Sequence, residues 1–396
     1  MERTKSCSGC FGFQEGERIT RYCERRDHPS ERMFGLSMPR PESVSSCNVQ
    51  TSRPSEFKYD SQSTKGSERG VGKHYIARKT ANMASPAFSL SPSTSNPPQN
   101  STILITGGAS GIGLATALHL HTPSYNNNIV VLDRAPSPPP VAELTSSSRF
   151  LYIQSDVTSW QSQRSAFAQA ASHFNHLDHI FVNAGVAEIG EQLFTDHLSP
   201  SGELAEPDRT TIDIDIRAVG DTLKLAIHHL RRKDNNTGSG SGKGQSGTIV
   251  MTASLAGYLA SAGAPLYSAA KHGVVGYLRA LKSDCAKVGI SLSVIAPGIT
   301  LTPIILGRRE GQSLQAWGED MQSRGVPIND AETVALTVGF IMGLGVKGNG
   351  TGFLIQGNRV QELEAGIART REQWMGREML ELFRGGRGAP LFPNKL

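Results

Sequence analysis

Thr102-Ile103-Leu104-Ile105-Thr106-Gly107-Gly108-Ala109-Ser110-Gly111-Ile112-Gly113 is the stretch that decides the fold. Its first five residues form a short, apolar, β-branched run, the composition of a buried strand. Glycines follow, and from Leu114 to His121 no glycine or proline interrupts an apolar helical pattern. A strand that turns through glycines into a helix leaves unpaired N–H groups at the turn. Those groups and the positive end of the helix dipole suit an anionic group such as a pyrophosphate. Gly107, Ser110, Gly111, Ile112 and Gly113 are therefore candidate cofactor contacts.

Downstream, apolar runs alternate with helical patterns almost without exception. The runs are Ile129–Asp133, Phe150–Gln154, His179–Val182, Thr248–Ala253, Ser291–Ala296 and Gly352–Gln356. Helical segments are expected at Ser159–Asn175, Asp208–Leu230, Pro265–Lys287 and Ala331–Met342. The apolar runs lack strict alternation, as befits strands covered on both faces. The expected fold is α/β, a Rossmann-type doubly wound parallel sheet of seven strands with helices on both faces. Ala135–Ser148, Ala187–Pro207 and Arg231–Ser246 read as surface loops, and Pro303–Pro327 shows no clear periodicity.

Composition divides the 396 residues into three parts. Residues 1–100 are rich in Ser, Arg, Glu and Pro and are expected to be a disordered polar extension. Residues 101–359 form the catalytic domain, and 360–396 a C-terminal extension. The net charge of +5 is mild for this length and does not point to nucleic acid. No run reaches the ~18 consecutive apolar residues of a membrane span. The N-terminus lacks the apolar core of a secretory signal, and five cysteines, an odd number, suggest reduced thiols. A cytoplasmic protein is the expectation. Cys7 and Cys10 form a CxxC pair with no second pair at a zinc-like spacing, so no metal is expected.

Further candidates sit where runs end. Asp133 closes the second run, where a carboxylate can accept hydrogen bonds from adenosine ribose hydroxyls. A 2′-phosphate there would meet like charge, which favours NAD over NADP, although Arg134 is adjacent. Asp156 and Val157 follow the third run, and Asn183, Ala184 and Gly185 the fourth. In open α/β sheets ligands bind at these carboxyl ends.

Tyr267 and Lys271 begin a helix at i, i+4 spacing, so both side chains share a face. A free phenol titrates near 10. A nearby ammonium and a cationic nicotinamide both favour the phenolate, so Tyr267 could exchange a proton with a substrate oxygen. Ser254, at the end of the fifth run, could hydrogen-bond that oxygen as charge develops.

From about Ser101 to Gly357 the chain resembles the classical short-chain dehydrogenase/reductase family. The matching motifs are Thr106–Gly113, Asn183-Ala184-Gly185, Ser254, Tyr267 with Lys271, and Pro297-Gly298-Ile299-Thr300-Leu301-Thr302, in the family's order and spacing. The resemblance implies Ser254, Tyr267 and Lys271 as the catalytic triad, with Lys271 also holding the nicotinamide ribose. It implies that Pro297, Gly298, Thr300 and Thr302 lie near the nicotinamide, and that the chain works as a homodimer or homotetramer. Many members carry an Asn in a proton relay where this sequence has Asp215. A carboxylate there could pair with Lys271, or Asp213 and Asp215 could simply face solvent.

The expected function is interconversion of a secondary alcohol and a ketone on a lipophilic small molecule. Ile304, Ile305, Leu306, Leu314, Trp317 and Met321 in the presumed lid, with Leu255, Tyr258, Leu259 and Pro265, motivate the lipophilic substrate. The tail from Val360 resembles extensions of fungal members that act on polyketides or terpenoids. The alternative is a catalytically weak NAD(H)-binding sensor or scaffold on the same fold.

Overall fold

The computed structural model describes residues 85–231, 247–305 and 311–386. Eight strands form one sheet: β1 (Thr102–Thr106), β2 (Asn128–Asp133), β3 (Phe150–Gln154), β4 (His179–Val182), β5 (Gly247–Thr252), β6 (Ile290–Pro297), β7 (Gly352–Gln356) and β8 (Arg359–Glu362). Their order is β3-β2-β1-β4-β5-β6-β7-β8. Strands β1 to β7 run parallel, with Ile103 opposite both Ile129 and His179 across the centre. The order reverses between β1 and β4, which opens a crevice at the carboxyl ends of these two strands.

Both faces of the sheet are covered, which explains the unbroken apolar runs. On one face Leu104, Val130, Ile180, Ile249 and Val294 pack with Phe167, Leu223 and Val274 from the helices Trp160–Phe174, Ala218–Arg231 and Pro265–Lys287. On the other, Ile103, Ile105, Val131, Phe181 and Val250 pack with Leu120, Val334 and Val338 from Gly111–His121 and Ala331–Leu344. The stretch Ala331–Gly348 is long and apolar enough to cross a membrane by composition. Here its apolar side chains instead complete the second core layer.

Four expectations are corrected. The sheet has eight strands rather than seven, because Gly357 and Asn358 both take positive φ (56° and 59°) and turn the chain back antiparallel. That is the backbone a two-residue type I′ hairpin requires. The boundary drawn at residue 359 therefore cuts into β8. Residues 85–100, read as part of the polar extension, pack on the core where described. Phe88 bridges Val360, and Ser95 in the short helix Pro92–Ser95 is fully buried. Short apolar anchors such as Phe88 and Leu90 were masked by the Ser/Pro composition around them. Finally, the aperiodic 303–327 stretch contains a helix, Leu314–Ser323, capped by the Ser313 hydroxyl on the Ala316 N–H. The earlier part of the presumed extension, residues 1–84, and residues Leu306 and 387–396 lie outside the described residues.

The C-terminal segment is tied to the long helix by a two-point ion pair. Arg279 donates through Nε and Nη2 to the buried carboxylate of Glu364, at 3.1 and 2.8 Å. The Arg279 guanidinium also lies 5.7 Å from the centre of the Tyr258 ring.

His179 is buried in β4 with Nδ1 2.6 Å from the Thr248 hydroxyl oxygen, and burial pushes its imidazole down to about 4. In the unfolded chain the ring takes a proton near 6.5. Keeping it neutral therefore contributes stability that is complete above about pH 6.5 and is lost as pH falls through 4, on the order of 3 kcal/mol in all. Unfolding midpoints measured from pH 7.5 to 4.5 should fall more steeply for the native chain than for His179→Gln. Parallel pH curves for the two would contradict this assignment.

Candidate active site

The candidate catalytic and cofactor-binding residues named from the sequence lie at the carboxyl-end edge of the sheet or on the element that follows. The glycine turn opens the helix Gly111–His121. Its N-cap, Ser110, is extended and gives no side-chain cap, so the first-turn N–H groups face outward unclaimed by it. Gly111 takes φ +53°, and a Cβ there would stand 3.3 Å from the Thr302 side chain. The turn after β1 and the loop after β6, almost two hundred residues apart, thus meet at van der Waals distance. At Gly113 a Cβ would strike the Gly107 carbonyl and approach Asn183 Nδ2 to 2.8 Å, so only glycine lets the turn close. Ile112 is half-buried beside this turn and packs against the second core layer.

Asp133 holds the turn from β2. Its Oδ2 accepts the Ala109 N–H at 2.9 Å and its Oδ1 the Ala135 N–H at 3.1 Å. Asp156 accepts the Thr158 N–H and hydroxyl, each at 2.8 Å, and is exposed beside Val157. A 360 Å³ cleft lined by Arg134, Gln154, Ser155, Asp156 and Ser162 opens at this end. A larger cleft of 490 Å³ lies at the opposite edge of the sheet, lined by Asn96, Asp178 and His179 among others. None of the constellation reaches it.

Asn183 acts as a clamp between strands. Its Nδ2 donates to the carbonyls of Thr106 and Gly107, and its Oδ1 accepts from the Thr252 hydroxyl. The Thr106 hydroxyl oxygen accepts the N–H groups of Asn183 and Ala184. Together these bonds lock the ends of β1, β4 and β5.

Ser254 caps the 3₁₀ turn Leu255–Gly257, accepting the Ala256 N–H at 3.1 Å while donating to the Pro297 carbonyl at 3.4 Å. Tyr267 and Lys271 lie one turn apart on Pro265–Lys287, with the Lys271 Nζ 5.4 Å from the centre of the Tyr267 ring. Pro265 at the first helical turn fits that start. Beyond Pro297, Thr300 and Thr302 are buried, with the Thr300 hydroxyl donating to the Gly298 carbonyl and the Thr302 hydroxyl to the Thr300 carbonyl.

Lys271 is almost fully buried. Its Nζ lies 3.0 Å from Asp215 Oδ2 and donates to the Thr252 carbonyl at 3.3 Å. Asp215 is wholly enclosed, and its Oδ1 accepts the Val186 N–H at 2.8 Å. Burial alone would lower the Lys271 ammonium. The carboxylate of Asp215, with Tyr267, outweighs that and holds it above the ordinary lysine range. The helix expected over 208–230 is interrupted here: Asp213–Arg217 form a π turn that places Asp215 inward. Asp213 points out and pairs with Arg217 at 2.8 Å. The solvent-facing reading thus applies to Asp213 and fails for Asp215.

Sequence reasoning missed Glu188. Its Oε2 accepts the backbone N–H of Tyr267 at 2.8 Å, supplying from the loop after β4 the cap that Ala264 lacks. An acid in a polar loop carries no spacing that links it to a helix 79 residues on. Around the same edge, Ile189, Phe194, Leu204 and Leu259 are exposed apolar side chains.

Residues 101–313 match the family model described as short chain dehydrogenase. The chain is 33% identical over 291 residues to the short-chain dehydrogenase/reductase prx4 of Penicillium rubens, covering 69% of this chain and 80% of that protein. It is 30% identical over 212 residues to 5'-hydroxyaverantin dehydrogenase of Dothistroma septosporum, covering 51% and 68%. Among solved structures, levodione reductase superposes with a TM-score of 0.53 at 25% identity, over 66% of this chain and 97% of that one.

Proposed function

This chain belongs to the short-chain dehydrogenase family, and from that premise we propose that it interconverts a secondary alcohol and a ketone on a lipophilic small molecule, using NAD(P). The observation that carries the reading is the placing of Lys271, whose Nζ lies 5.4 Å from the centre of the Tyr267 ring and bonds the Thr252 carbonyl two residues before Ser254, while Ala184 and Gly185 link it to the glycine turn at Gly107. The residues fit a dinucleotide. The uncapped turn Ser110–Gly113 would receive the pyrophosphate, Asp133 the adenosine ribose, the Asp156–Val157 end the adenine, Lys271 the other ribose, and Pro297 to Thr302 the nicotinamide. Gly107 and the Asn183-Ala184-Gly185 segment shape the floor between them.

The bound nicotinamide supplies or takes up the hydride at the carbinol carbon. The remaining chemistry falls to the chain. Tyr267 Oη takes the hydroxyl proton during oxidation and returns it during reduction. Ser254 Oγ donates a hydrogen bond to the same oxygen as charge develops. Lys271 holds a positive charge beside the phenol. The exposed apolar side chains Ile189, Phe194 and Leu204 after β4 and Leu259 after β5 support a greasy substrate, and the fungal relatives support a secondary metabolite such as a polyketide or terpenoid. A screen of lipophilic alcohols and ketones, followed by absorbance of the reduced cofactor, tests the reaction class. No turnover of any secondary alcohol or ketone would reject it. A homodimer or homotetramer in the cytoplasm completes the reading.

Asp133 sets a preference for NAD in this account. Asp133→Asn keeps an acceptor for Ala109 and removes the charge that opposes a 2′-phosphate. The ratio of kcat/KM with NAD to that with NADP should fall by roughly tenfold, about 1.4 kcal/mol of discrimination. An unchanged ratio would remove Asp133 from cofactor selection.

A further inference from the structure

The charge around Lys271 is unusual for a site that must receive a redox cofactor. The ammonium lies 5.4 Å from the centre of the phenol ring, and it is met at 3.0 Å by a fully enclosed carboxylate, Asp215. A second carboxylate, Glu188, is fixed one helical turn away on the Tyr267 N–H, and its Oε1 is enclosed without a hydrogen-bond partner. Gly185 lies between β4 and this pair, where a Cβ would stand 3.4 Å from both Asp215 Oδ1 and Lys271 Nζ. The Lys271 ammonium is thus balanced by Asp215, with the Glu188 carboxylate held at the start of the same helix. The exposed Arg217 pairs with both Asp213 and Asp221 away from the ammonium.

The two forms of a nicotinamide cofactor differ by one positive charge on the ring, and share their phosphates and riboses. Contacts to those shared parts cancel in a comparison of the two forms. The field at the ring does not cancel, and at the effective dielectric of a partly buried site a unit charge within ~10 Å shifts such a ratio by about tenfold. From the Asp215–Lys271 pair and Glu188 we infer that this site discriminates in favour of the oxidised, cationic dinucleotide, with Asp215 as the residue that sets the preference. The inference rests on the proposed cofactor placement and deepens it: the chain is poised for alcohol oxidation.

The test is equilibrium binding of NAD⁺ and NADH to the full-length protein, followed by intrinsic tryptophan fluorescence. Asp215→Asn preserves the shape and the acceptor for the Val186 N–H, and leaves the Lys271 charge unopposed. The ratio Kd(NAD⁺)/Kd(NADH) should rise about tenfold over the native value. A ratio within twofold of native, with both dinucleotides bound, would overturn the inference while leaving the dehydrogenase reading intact. If the native chain binds neither dinucleotide, that reading fails as well. Should Asp215→Asn not fold, Glu188→Gln carries the same test with the same sign, since it keeps an acceptor for the Tyr267 N–H: the ratio should rise, and a constant or falling ratio contradicts the claim.

Discussion

Tyr267→Phe should lower turnover by about a thousandfold or more while leaving dinucleotide affinity within a few-fold of native. The loss follows from chemistry. In alcohol oxidation the carbinol proton must leave as the hydride departs, and in the proposed mechanism Tyr267 Oη, on the ring beside the Lys271 charge, takes it. The fold gives no competing reason for a loss. Tyr267 is anchored through its backbone, by the Glu188 bond to its N–H, and its hydroxyl makes no hydrogen bond among the described residues. Removing one oxygen atom therefore leaves the helix and the Lys271–Asp215 pair in place. The decisive pairing is a steady-state rate beside a binding titration. Native-like rates in the variant would remove Tyr267 from the mechanism. Lost binding would recast it as a structural residue.

Asp215→Ala should destabilise the protein by about 3–5 kcal/mol, because it strands a buried ammonium. Among the described residues Lys271 has only the Thr252 carbonyl as its other acceptor, and Val186 would also lose the partner of its N–H. For a domain of this size the melting temperature should drop by about 10 °C. Asp215→Asn keeps an acceptor for Val186 and a dipole for Lys271, so its drop should be clearly smaller. A shift of under about 2 °C for Asp215→Ala would mean that the ammonium finds another partner, and that the pair does not hold this part of the fold.

The parallel sheet was legible because its central strands are buried on both faces and so read as unbroken apolar runs. The motif residues were legible because their chemistry is bound to position, at strand ends or one helical turn apart. What escaped was encoded in conformation. β8 depends on two consecutive positive φ values at Gly357 and Asn358, and the Gly-Asn pair was the available signal. The inward turn of Asp215 depends on one extra residue in a helical turn, which no apolar period announces. Phe88 is held against the core by pairing with Val360, a contact across 272 positions that local composition conceals. Glu188 shows the same limit, since a carboxylate that caps a distant helix looks like any loop acid.

A structure of the protein crystallised with NAD⁺ tests the central claim most directly. The pyrophosphate should lie on the N–H groups of Ser110 to Gly113, the nicotinamide ribose on Lys271, and the ring beside Tyr267. A dinucleotide seated instead in the cleft of Asn96, Asp178 and His179, or with its ring remote from the Tyr267 hydroxyl, would contradict the account.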